Sequence, residues 1–331
     1  LYLDENKWEI IKSIEVNSKL LSNYFDIKRG MEFGQSGELI FCENCKKYSE
    51  KPAKVYKQTE LKECPFCKQK IVIKESKSRP LVSKVKQKDF MEPVLTGRCI
   101  DAWAIKENLF ISPDLPGINY KKELMDRPRI FVQRISDKIK ATYDAMDSYL
   151  LNTVYALMSK DKNRKRCFII LDILNSKLMD FYYEYRYNIG MRLTTQVTID
   201  FLKNIPIKLP ASQQSFIYLC NFMLFLNETE ARRKNEKELI EFVDKQVIDA
   251  LVYELYFGEK FEEDGLKPNL LGLVEHHLKD VEALKFDEEK LEGIKEVVEG
   301  IKSDGAIMGQ IGRVKNHEWV KVIEGGEKWR Q

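Results

Sequence analysis

Between Trp8 and Tyr24 the apolar residues Ile10, Ile11, Ile14, Leu20 and Leu21 recur at close to helical spacing, which predicts a helix leading into a core. The period then shortens. "FDIKRGMEFGQSGELIF" reads as strand, glycine turn and strand, with Gly30, Gly34 and Gly37 breaking the pattern. "RPLVSKVKQKDFMEPVLTGRCIDAWAI" predicts strands and turns, and "RPRIFVQRISDKIKATYDAMDSYLLNTVYALM" two or three β-rich runs separated by charge. A helical period returns from about Phe168 to Tyr185, followed by the polar loop "RYNIGMRLTTQV" and a short extended piece in "FLKNIPIKLP". From Ser212 the chain reads as helical, through "QQSFIYLCNFMLFLN" and "EKELIEFVDKQVIDALVYELYF", and Asp287, Glu288 and Glu289 make a good start for a further helix. The expected class is α+β: a helical lead-in over 1–24, a mixed β-rich unit over 25–210 carrying an insert at about 40–74, and a mostly helical region over 211–331.

The insert has too few apolar residues to fold by burial. It holds Cys42, Cys45, Cys64 and Cys67, two C-x2-C pairs eighteen residues apart, with Lys46, Lys47, Lys51, Lys54, Lys57 and Lys62 in between. That spacing brings four thiolates to the corners of a tetrahedron around one zinc ion. Four protein ligands leave no open position, so such a zinc is structural, and its binding supplies the folding energy. The second pair, Cys-Pro-Phe-Cys, also reads as a thioredoxin-type site. That chemistry needs a βαβ setting, and the matching upstream pair and the β-branched Ile71–Ile73 weigh against it. A zinc deaminase is excluded, because the three histidines, His276, His277 and His317, all lie far downstream and form no His-x-Glu. Cys99, Cys167 and Cys220 stand in apolar surroundings as buried small hydrophobes.

Charge changes the picture further. The net charge of +3 divides into +11 over residues 1–210 and −8 over 211–331. A basic front predicts a polyanionic partner. Neither G-x-G-x-x-G nor a Gly-Lys-Ser/Thr loop occurs, so the glycines are not a nucleotide cradle. The chain has no run of eighteen apolar residues and no signal-like start, which leads to the expectation of a cytoplasmic protein with no membrane partner. A first residue of Leu, followed at once by ordered-looking sequence, leads to the expectation of a fragment whose remainder lies on the N-terminal side.

Five stretches, taken in order, carry a resemblance: "FDIKRGMEFG" (25–34), "VLTGRCIDAW" (94–103), "RPRIFVQRIS" (127–136), "ILNSKLMDFYY" (173–183) and "IDFLKNIPIKLP" (199–210). Together they resemble the C-terminal target-recognition region of DNA N6-adenine methyltransferases, the TaqI-like specificity domain of type II, IIG-like restriction-modification enzymes, here with a zinc-ribbon insertion. "IDALVYELYF" (248–257) is similar to the tail of many such enzymes, and the likeness covers about 20–257. It implies sequence-specific recognition of double-stranded DNA on behalf of an N-terminal methyltransferase domain in the same protein. The family's catalytic half carries a Gly-rich S-adenosylmethionine loop and an Asn/Asp-Pro-Pro-Tyr/Phe motif. Neither is present, and no nuclease carboxylate cluster is found, so no catalytic residue is assigned and S-adenosylmethionine enters only through the absent half. "NIPIKLPASQQSFI" is also similar to the end of a recognition domain in type I specificity subunits, which leaves that reading open beside a zinc-ribbon protein-interaction scaffold.

Phosphates are held by cations and base edges by a few oriented polar groups. The phosphate candidates are Lys28, Arg29, Lys46, Lys47, Lys68, Arg98, Arg164, Lys165 and Arg166. The base-reading candidates are Arg186, Asn188, Arg192, Thr194, Thr195 and Gln196, in the 186–196 loop. Arg129, Gln133 and Arg134 alternate along a strand and serve structure equally well. Tyr182, Tyr183, Tyr185 and Tyr187 sit on an apolar helix and are expected to pack, and Asn175 and Ser176 to cap or bond within the fold.

Overall fold

The strands Arg129–Gln133 and Val154–Ser159 form the centre of the protein, antiparallel to each other and buried along almost their whole length. In the computed structural model, which describes residues 5–32, 37–52, 60–143, 147–187 and 196–325, Ala141–Tyr143 flanks them on one side and Phe25–Arg29 on the other, completing a four-stranded antiparallel sheet. Alternate side chains of a strand face opposite ways. Ile130, Val132, Tyr155 and Leu157 therefore enter one core and Phe131, Val154, Ala156 and Met158 another. A sheet covered on both faces needs apolar residues at successive positions, which is why "VYALM" has no polar alternation.

The first core is built with the helices Arg164–Asn175, Lys177–Arg186, Gln214–Asn227, Asp249–Glu263, Asp287–Ser303 and Gly305–Asn316, and it takes in residues from Ile10 to Ile323. The second lies against a smaller sheet, in which Glu92–Leu95 runs parallel to Tyr149–Leu150 and antiparallel to Leu109–Ile111, with Val82–Ser83 at the edge. Asp287, Glu288 and Glu289 do open the helix Asp287–Ser303. Among the described residues, no helix is long and apolar enough to cross a membrane.

Two expected helices come apart. The 168–185 helix is two helices divided at Ser176, whose backbone is extended and whose hydroxyl accepts from the Met179 N–H and donates to the Ile173 carbonyl at 2.7 Å. Beside it Asn175 bonds both the N–H and the carbonyl of Ala141 at 3.0 Å. These short polar side chains offer the backbone partners that compete with the helical ladder. The lead-in likewise ends at Glu15: Asn17 takes a left-handed φ of 56°, and Lys19–Leu20 pairs with Pro206–Ile207 before a single turn at Leu21–Tyr24.

Candidate nucleic-acid interface and metal centre

The two C-x2-C pairs occupy two equivalent turns. Cys42 and Cys45 lie between the antiparallel strands Glu38–Cys42 and Lys47–Glu50, and Cys64 and Cys67 between Leu61–Glu63 and Lys70–Val72. In each turn the lysine after the second cysteine has a left-handed backbone, with φ 56° at Lys46 and 64° at Lys68. Its N–H donates to the carbonyl of the first cysteine, at 2.8 Å to Cys42 and 3.0 Å to Cys64. The turns thereby face their sulfurs toward one point.

All four Sγ atoms lie within 4.8 Å of one another. Cys42 and Cys67 are 3.7 Å apart and Cys45 and Cys64 3.6 Å. A tetrahedron with zinc–sulfur bonds of about 2.3 Å has edges of about 3.8 Å, whereas a disulfide holds its sulfurs at about 2.05 Å. The donor set fits a metal ion. The Asn44 side chain, and next the Gln69 backbone, bring the Cys67 thiol down to about 6, whereas burial and the bonds from its neighbouring sulfurs push Cys45 up to about 12, so the sulfurs titrate as one cluster. A thioredoxin-type reading lacks its scaffold, because Cys64 and Cys67 join two antiparallel strands instead of a strand and a helix. Cys99, Cys167 and Cys220 are fully buried elsewhere.

A loop of the smaller sheet seats this ribbon. The Tyr48 N–H donates to the Pro116 carbonyl at 2.8 Å. Next to it Gly117 has φ 89°, and a Cβ there would stand 2.7 Å from the Tyr48 carbonyl oxygen, so only glycine fits. On the ribbon Lys46 pairs with Glu43, Lys68 pairs with Glu63, and Lys47 lies 5.0 Å over the Phe66 ring. Exposed ion pairs of this kind are worth little.

A second concentration of polar groups lies at one end of the central sheet, around the turn 151–153. Arg29 Nε donates to the Asn152 carbonyl at 3.1 Å, and Arg134 Nη1 to the same oxygen at 3.4 Å. Arg134 Nη2 donates to Gln196 Oε1 at 3.2 Å. The Gly97 N–H donates to Thr153 Oγ1 at 2.8 Å, which brings the exposed Arg98 to the same turn. A Cβ on Gly30 would meet the Leu151 carbonyl oxygen at 2.3 Å, so the chain after Arg29 reaches this turn only as glycine.

The structure thus brings Arg29, Arg98 and Gln196 together and separates the other candidates. Lys28 is exposed on the edge strand, whereas Arg164, Lys165 and Arg166 lie at the opposite end of the sheet. There Arg164 covers the Tyr143 and Phe168 rings, and Arg166 pairs with Asp161 and covers Tyr24. Arg186 pairs with Glu15 at 3.1 Å, and the Tyr182 hydroxyl donates to the same carboxylate. Asn188, Arg192, Thr194 and Thr195 lie outside the described residues. The tyrosines pack, Tyr183 and Tyr187 standing 4.8 and 4.6 Å from the Phe201 ring.

Sequence reasoning placed Arg129 and Arg134 in one class, and the fold separates them. Arg129 is buried, donating to the Leu124 carbonyl at 2.6 Å and the Ser148 carbonyl at 2.8 Å. Arg134 lies one residue beyond the strand end, at the polar turn. Odd and even spacing gave both the same weight; the one available signal was that Arg134 adjoins the charged break "RISDKIK".

The family model of TaqI-like C-terminal specificity domains matches residues 26–207. A Methanocaldococcus jannaschii protein provisionally named a type II restriction enzyme and methyltransferase is 26% identical over 190 residues, covering 54% of this chain and 14% of that relative's length. The family match runs from the edge strand Phe25–Arg29 to Pro206–Ile207 and takes in the central sheet, the polar turn and the ribbon. With more than half of its length matched in this way, the chain belongs to the family of TaqI-like C-terminal specificity domains.

Proposed function

We propose that this chain reads the sequence of double-stranded DNA as the non-catalytic specificity part of a restriction-modification adenine-N6 methyltransferase. The observation that carries the reading is the family match, which spans the turn where Arg29, Arg98 and Gln196 converge. The related restriction enzyme and methyltransferase, of which this chain matches 14%, supports a catalytic domain elsewhere in the same protein. That domain would hold S-adenosylmethionine and the target adenine. Cys42, Cys45, Cys64 and Cys67 hold a structural zinc that sets the ribbon beside the DNA, and Lys28, Lys46, Lys47 and Lys68 contribute phosphate contacts. Arg164, Lys165 and Arg166 serve the same purpose only if the duplex extends to the far end of the sheet.

Neutralised phosphates release counterions, so affinity for a duplex falls linearly with salt on logarithmic axes, with a slope of about −0.9 for each contact. Titrating the protein against a randomised duplex pool at rising salt should give that steep fall and recover a preferred sequence. Flat salt dependence with no duplex affinity at low salt would sink the reading and favour an interaction scaffold.

A further inference from the structure

We propose that Arg134 reads one guanine through the major groove and that Gln196 is its positioning residue. The inference rests on the DNA-reading assignment above and deepens it.

Arg134 is fixed at both main chain and side chain. Its N–H donates to the Thr153 carbonyl and its own carbonyl accepts from the Val197 N–H, each at 2.9 Å. Its guanidinium is held by two neutral acceptors, the Asn152 carbonyl and Gln196 Oε1. Among the described residues no carboxylate pairs with it. Its remaining N–H groups make no hydrogen bond to another described residue.

The contrast with Arg29 decides what such a group is suited to bind. Arg29 shares the Asn152 carbonyl but pairs with Glu32 at 3.0 Å, on a carboxylate whose side chain is 72% exposed. A phosphate asks only for positive charge nearby, and Arg29 can meet one by exchanging Glu32 for it. Guanine presents O6 and N7 side by side in the major groove, and reading both demands a planar fork held in a fixed plane. Of the two arginines at this turn that bond the Asn152 carbonyl, Arg134 is the one held that way. Arg134 is itself only half-buried, and the chain beyond it is open to solvent: Ile135 is 50% exposed, its carbonyl is bonded by Gln133 Nε2 at 2.9 Å, and it bridges to Gln196.

Gln196 looked like an adenine reader by type, yet its carbonyl oxygen is already used by Arg134. Adenine recognition needs that oxygen free to accept from N6 while the amide nitrogen donates to N7. With the oxygen engaged, the residue sets the plane of the neighbouring guanidinium.

The test uses the tightest duplex that the chain recovers from a randomised pool. Each guanine is replaced in turn by 7-deazaguanine, which pairs normally but lacks the N7 acceptor. Wild type should lose affinity at one guanine, and Arg134→Ala should bind the parent and deaza duplexes alike after losing about 10- to 100-fold in discrimination there. Gln196→Leu, which removes the acceptor, should lower that discrimination while leaving affinity for the deaza duplex unchanged, and Gln196→Glu, which puts a carboxylate on the guanidinium, should lower it as well. Insensitivity of wild type to deazaguanine at every position, which needs no variant to fold, overturns the proposal while the DNA-reading assignment stands. Equal weakening of all duplexes by Arg134→Ala also overturns it and makes the residue a phosphate contact. If no preferred duplex emerges at all, both readings fall together.

Discussion

The ribbon and the helical core stand by different physics. The ribbon's own buried cluster around the cysteines reduces to Ile40, Ile71 and Ile73, whereas the large core gathers aromatic and aliphatic side chains from helices spread over most of the chain. Burial on the ribbon's scale cannot offset the conformational entropy of ordering two hairpins. Its fold must therefore be bound to its sulfurs, while the helical region needs no ion. The two should respond in opposite directions to the same changes in conditions.

The largest expected effect follows from that asymmetry. Chelation, or Cys64→Ser, should unfold the ribbon, since structural zinc supplies on the order of 10 kcal/mol in comparable sites. The central sheet and helices should remain protected from hydrogen exchange. Loss of protection throughout the chain would show that the two regions are one cooperative unit.

Next in size is Phe257→Ala. Phe257 is buried against Tyr253, Phe261 and Trp319, and removing such a ring costs about 3–5 kcal/mol through lost transfer energy and the cavity left behind. Chemical denaturation should report that loss while metal content stays at one ion per chain. A variant that also loses its metal would break the proposed independence.

The smallest effect concerns protons. Asp172 is fully buried with neither carboxylate oxygen bonded, and burial, reinforced by the charge of Asp244, pushes it well above the usual carboxylate range. Burial also raises Asp180 to about 6 and Asp249 to about 7, with Lys245 opposing the rise at both. Folded values above the unfolded value of about 3.9 mean that the native state binds more protons between the two. The associated stability is fully present below about pH 4 and is lost as the pH rises through the folded values of these groups. Metal binding by thiols releases protons and so strengthens in the same direction. Raising the pH from 5 to 8 should lower the melting temperature of the helical region while raising the metal affinity of the ribbon. Asp172→Asn, neutral at every pH, should flatten the first trend. An unchanged slope would mean that Asp172 does not titrate with folding.

Legibility in the sequence followed the range of the forces involved. The cysteine cluster could be read because two short spacings confine four sulfurs whatever surrounds them. "SKLMDFYYEYR" declared a helix through its own period, yet Ser176 broke the longer run, because Asn175 had a partner at Ala141 that lies 34 residues away. The polar turn was less legible still. Arg29, Arg98, Arg134 and Gln196 come from four separate stretches, and no local pattern marks them as neighbours.

The sequence by itself determined the class of the fold, the cluster of four cysteine sulfurs and the basic character of the front two thirds, because periodicity, spacing and charge are properties of neighbouring residues. Only the tertiary structure decided that Arg129 is buried while Arg134 sits at the polar turn, that Gln196 holds a guanidinium, and that Asp172 and Asp249 are buried in the helical interior. Those outcomes depend on strand register and on contacts between segments far apart in the chain. A shift of one residue along a strand would reverse every one of its side chains, and strand periodicity does not distinguish Arg129 from Arg134.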